Sequence, residues 1–116
     1  MEVIIVAAEK TFENKIKKFL SDQGAWHVKY FANRMTKIGI PDILACVNGY
    51  FVAIEVKAPK GKPSELQKWN IEKIRDAEGI AIVLYPDQFD EFKKMIVTLN
   101  KNVTCNNWSE QFYFDR

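Results

Sequence analysis

The chain has 116 residues, 47% of them hydrophobic, and a net charge of +2. That length suits one domain with a single core, residues 1–116, and is too short for two. The apolar run Val3–Ala8 is only six residues, far below the roughly 18 that a membrane span needs, and no basic stretch precedes it to suggest a signal peptide. Two cysteines, Cys46 and Cys105, make neither a disulfide framework nor a C-x-x-C pair, which favours a reducing cytoplasm.

In chain order, Phe12, Ile16, Phe19, Leu20 and Gln23 follow helical spacing with Lys15, Lys17 and Lys18 off the stripe, predicting an amphipathic helix over Glu9–Gln23 closed by Gly24. Val28–Ala32 has strand composition, and the residues after it read as a loop. Asn48-Gly49 is a strong hairpin signal, because both residues tolerate the positive φ of a type I′ turn. The strands are then Asp42–Val47 and Tyr50–Lys57. Pro59, Gly61 and Pro63 break the chain, and Ser64 with Gln67 forms a capping box that opens a helix to about Glu78. Gly79 ends that helix, Ile80–Tyr85 is a short apolar strand, and Asp87 opens a third helix through Leu99. The aromatic tail with Trp108, Phe112, Tyr113 and Phe114 reads as a last strand or a docking segment. This alternation of helices and strands is an α/β pattern.

The hairpin carries the chemistry. A two-residue turn pairs Val47 with Tyr50, which sets Asp42 opposite Glu55, with Lys57 on the same face as Glu55. The rest of the hairpin is apolar, so these charges lie where an ordinary strand buries hydrocarbon. Two close carboxylates repel, and one takes up a proton unless a cation neutralises them. Mg²⁺ suits an Asp and a Glu with the Val56 carbonyl, since it takes few protein carboxylates, and His27 is the only histidine, which removes softer ligation. A lysine beside such an ion can stabilise charge on a reacting phosphate. The alternative is a structural trio in which Lys57 satisfies both acids. Charge distribution points to a polyanion: residues 10–37 carry seven bases and two acids, residues 57–75 six and two, and residues 38–56 only Asp42 and Glu55. Solvated lysines on helix faces explain the same counts.

The stretch GIPDILACVNGYFVAIEVKAPKGKPSELQ, Gly39–Gln67, resembles the core of the PD-(D/E)XK nucleases, with Pro41-Asp42 followed by Glu55-Val56-Lys57. The G-x-P-D approach and the trailing Gln67 resemble the VRR-NUC branch, in its standalone phage or bacterial form similar to Holliday junction resolvases. The resemblance covers roughly Glu9–Tyr85. It implies a restriction-endonuclease-like fold, a mixed central β-sheet flanked by α-helices, and a Mg²⁺-dependent DNA endonuclease in which Mn²⁺ substitutes. By the same resemblance Asp42 and Glu55 are metal ligands, Lys57 is the catalytic lysine, Gln67 is an accessory residue and Glu13 completes the metal environment from the first helix. Glu13 also reads as an exposed i to i+4 pair with Lys17, and Gln67 also has its capping role.

Lys29, Arg34, Lys37, Lys60 and Lys62 flank the hairpin and are candidate phosphate contacts. His27 reads as a solvated strand-edge residue, and Trp69 as packing rather than a base-stacking group. Resolving a four-way junction takes two symmetric nicks, so the expected species is a homodimer acting on branched DNA in a bacterial or phage-infected cytoplasm, with the aromatic tail as its interface. The rivals are a non-cleaving nucleic-acid-binding module and a protein-interaction scaffold.

Overall fold

The structure is a computed structural model that describes residues 2–32, 35 and 37–101. Helix α1 (Glu2–Asp22) starts ahead of the expected Glu9, because no Gly or Pro interrupts the chain before it. Phe12, Ile16 and Leu20 form its buried stripe. A Schellman motif closes it: the Ala25 N–H donates to the Leu20 carbonyl (2.9 Å) and the Gly24 N–H to that of Ser21 (3.0 Å).

The elements that follow are β1 (Trp26–Lys29), β2 (Ile43–Val47), β3 (Tyr50–Val56), α2 (Glu65–Asp76), β4 (Ile80–Leu84) and, after one 3-10 turn over Pro86–Gln88, α3 (Phe89–Asn100). Strand β1 lies earlier than the expected Val28–Ala32, because β2 fixes its register: Trp26 faces Cys46 and Lys29 faces Ile43. Pro86 starts the 3-10 turn, which moves the helix start from Asp87 to Phe89. Helix α2 stops at Asp76 and not at Glu78, whose φ of 70° is left-handed. The tail expected to hold a last strand or a dimer interface lies outside the described residues, as does Arg34.

The sheet order is β1-β2-β3-β4. The first three strands are antiparallel and β4 runs parallel to β3, so helix α2 forms the crossover that a parallel pair requires. The turn behaves as its sequence implies, with φ of 50° at Asn48 and 88° at Gly49, and the ladder runs from Val47↔Tyr50 to Ile43↔Ile54. Helices α1 and α3 cover one face, where Ile43, Val47, Val52, Ile54 and Val56 meet Phe12, Ile16, Phe92 and Ile96. Helix α2 covers the other over β3 and β4, where the small side chains of Ala53 and Ala81 lie with Ile71 and Val83. Beyond its reach Trp26, Val28, Cys46 and Phe51 stay exposed, so the hairpin is fully buried on one face only. No helix among the described residues is long and apolar enough to cross a membrane.

Candidate active site

The candidate residues converge where β3 ends and α2 begins. Asp42 sits one step before β2, so the ladder does not reach it. Instead of pairing as a strand residue opposite Glu55, it turns its carboxylate to the end of β3: Oδ2 accepts the Val56 N–H at 2.9 Å. Its carbonyl accepts the Tyr30 N–H at 2.8 Å. The approach to Asp42 is tightly held. Gly39 has φ of +79°, and a Cβ there would lie 2.5 Å from Leu66 Cγ, while Asn70 Nδ2 donates to the Gly39 carbonyl at 3.1 Å. The glycine of the G-x-P-D run is thus required by a close approach to α2.

Glu55 is 1% exposed. Its Oε2 accepts from Gln67 Nε2 at 3.1 Å and pairs with Lys57 Nζ at 3.2 Å, while Oε1 is buried with no hydrogen-bonding partner among the described residues. Burial, and after it the negative charge of Asp42, push the Glu55 carboxyl up to about 8, against the opposing pull of Lys57. The charge of Asp42 thus disfavours ionisation of Glu55, as expected of two acids that the hairpin brings together. Gln67 fills both roles read from the sequence. Its Oε1 accepts the Ser64 N–H at 2.8 Å, the Ser64 hydroxyl accepts the Gln67 N–H at 3.1 Å, and Nε2 remains for Glu55. One side chain ties the start of α2 to the buried acid.

Glu13 is buried on α1 rather than exposed. Its pair with Lys17 forms at 3.2 Å, and Lys29 Nζ lies 2.6 Å from its other oxygen. Burial pushes the Glu13 carboxyl up, but the hydrogen bonds and charges of Lys29 and Lys17 outweigh it and hold the group below its usual range. The same Lys29 ammonium reaches Asp42 Oδ1 at 3.2 Å. Burial lowers its affinity for a proton, yet Glu13 and Asp42 together raise it above the ordinary lysine value. Lys29, expected to face phosphate, is here a half-buried bridge between helix one and the hairpin. Its side chain points inward because β1 pairs Lys29 with Ile43, the neighbour of Asp42. Lys37, Lys60 and Lys62 are exposed around the site.

Sequence reasoning missed Glu9, whose Oε1 accepts the Ala58 N–H at 3.2 Å, and Asn70. The second had a signal, since position 70 follows Gln67 by one helical turn. His27 is half-buried, with Nε2 2.8 Å from the Ser21 hydroxyl, and takes no part in the site. Trp69 is 48% exposed, contrary to the packing role expected of it. The buried positions of α2 are Asn70 and Ile71, so position 69 turns away from the sheet.

The oxygen donors fit a hard divalent ion: two acids that disfavour each other's ionisation, one buried oxygen without a partner among the described residues, and the backbone of Val56, whose N–H and hence C=O face Asp42. Among the described residues no three His, Cys, Asp or Glu side chains gather into a group that could hold a metal ion. A mixed sheet flanked by helices, with this acid pair and lysine at the end of its third strand, defines the chain as of the PD-(D/E)XK nuclease type. The family described as archaeal Holliday junction resolvase (Hjc) matches residues 7–99, and the chain belongs to that family. The match spans all the residues from Glu13 to Gln67 discussed above. No curated protein and no solved structure matched the chain.

Proposed function

We propose that residues 1–116 form a single nuclease domain that cleaves phosphodiesters of four-way DNA junctions with Mg²⁺, Mn²⁺ serving in its place. The observation that carries this reading is the buried Glu55 oxygen, unpartnered among the described residues, beside Asp42 and flanked by Lys57. Asp42, Glu55 and the Val56 carbonyl hold the ion, which supplies charge neutralisation at the scissile phosphate when bound. Lys57 offers its ammonium to the charge that builds on the phosphate oxygens during in-line attack by water. Gln67 fixes the Glu55 rotamer, and Glu13 steadies the Asp42 side through Lys29. Arg34, Lys37, Lys60 and Lys62 supply positive charge to the DNA strands on either side.

Two symmetric nicks favour a twofold dimer, with Trp108, Phe112, Tyr113 and Phe114 as interface candidates. The G-x-P-D approach and Gln67 support the VRR-NUC branch. The ion pairs Lys29–Asp42 and Lys57–Glu55 favour a second reading, a module that binds junctions without cutting, because both acids already have countercharges. A panel of single-stranded, duplex, flap and four-way-junction substrates with Mg²⁺, run beside light scattering, decides. Selective junction cleavage by a dimer supports the first reading, and tight junction binding without cleavage supports the second.

A further inference from the structure

Helix α2 carries a second surface that the cleavage chemistry leaves unused. The half-exposed Trp69 ring has the Lys73 ammonium 5.5 Å from its centroid and the Lys37 ammonium at 5.9 Å. Neither lysine has a carboxylate partner among the described residues. Trp69 and Lys73 share a helix face at i, i+4 spacing. Lys37 is brought in by the loop, whose path is fixed by the Tyr30 hydroxyl on the Lys37 carbonyl and by Asn70 on that of Gly39. The ring and cations rim a groove of about 510 Å³, with Ile40, Leu44, Phe51 and Ile74 in its floor and no acid in its lining. Ile40 and Leu44 stand two residues to either side of Asp42, and Asn70, which also lines the groove, donates to the Gly39 carbonyl at the approach to Asp42.

We propose that this groove receives an unpaired nucleobase of the DNA strand, stacked on Trp69, with Lys37 and Lys73 meeting the phosphates next to it. The proposal rests on the nuclease reading and adds how the strand is gripped beside the cut. An apolar surface with an exposed indole and two ammoniums that have no carboxylate partner among the described residues suits a flat aromatic ring attached to anions. It suits an apolar peptide poorly, since both ammoniums would lose water without gaining a partner. A second copy docked here about a twofold axis would bring like charges together. Bases inside a duplex are stacked away from such a platform, which selects the unstacked bases of a branch point or a single strand.

The test uses the full chain with Trp26→Phe and Trp108→Phe, so that Trp69 is its remaining tryptophan. Its emission is titrated in chelator with oligothymidylate and with a four-way junction, and cleavage of the junction with Mg²⁺ by the natural chain, which keeps Trp108, is measured in parallel. The expected result is saturable quenching, with Trp69→Ala in the natural chain weakening oligothymidylate binding about tenfold and Trp69→Phe restoring most of it. Unchanged emission at saturating DNA, undiminished binding by Trp69→Ala, or a Trp69→Ala protein that changes its oligomeric state by light scattering overturns the proposal. If the junction is cleaved while Trp69 stays silent, the groove assignment fails and the nuclease reading stands. If Trp69 is quenched and no junction is cut, the nuclease reading fails and the groove stands.

Discussion

Glu55→Gln in the absence of divalent ions tests whether the buried acid is as frustrated as its surroundings imply. The Glu55 carboxyl is pushed from an ordinary 4.5 up to about 8, by burial first and by Asp42 second. Between those values the folded protein holds a proton that the unfolded chain has released. Stability is therefore full below 4.5, falls as pH rises through the interval, and levels off above about 8. At about 1.4 kcal/mol per pH unit the interval sets a ceiling of about 5 kcal/mol. Glutamine keeps the shape of the side chain and cannot ionise. Urea unfolding of both proteins in chelator, from about pH 5 to about pH 9, isolates the effect because other titrating groups are common to both. The difference should grow by several kcal/mol in favour of Glu55→Gln across that range, and Mg²⁺ at the alkaline end should restore the natural protein alone. Parallel stability curves would refute the reasoning, since they would mean that Glu55 ionises as easily folded as unfolded.

Lys57→Ala should lose on the order of 10² to 10³ in junction cleavage rate with little loss of junction affinity in gel shifts; equal losses would make Lys57 a phosphate grip. Lys29→Met removes the bridge between Glu13 and Asp42 and should cost on the order of 2 kcal/mol at neutral pH by urea unfolding. That cost should shrink in acid, because a carboxylate held below its usual range contributes stability above that range and loses it as pH falls through its lowered value. Gly39→Ala places a methyl against Leu66 in a left-handed backbone and should destabilise by roughly 1–3 kcal/mol, with a fall in cleavage larger than the unfolded fraction explains.

The parts of the site legible in the sequence are those set by local rules. Asn48-Gly49 fixes the turn, the turn fixes the register, and the register brings Asp42 near Glu55. Ser64 and Gln67 mark the start of α2 by their spacing, and the same spacing aims Gln67 at the site. What stayed hidden depends on contacts between distant segments. Lys29 reads as a free cation until β1 is laid against β2, which turns it toward Asp42. Glu13 reads as a site residue by resemblance and as an exposed partner of Lys17 by spacing, and only the packing of α1 over the sheet buries it and joins it to Lys29. Trp69 reads as core because helical periodicity alone does not say which stripe of α2 meets the sheet, and a half-exposed indole is unusual enough that packing was the natural expectation.

The most direct measurement is cleavage of a labelled four-way junction by the natural protein and by Asp42→Asn, each with Mg²⁺ and with chelator, after circular dichroism has established that both fold alike. Paired nicks are expected from the natural protein with Mg²⁺ only, and no cleavage from Asp42→Asn under either condition while junction binding persists. Cleavage by Asp42→Asn at the natural rate, or equal cleavage in chelator, would contradict it.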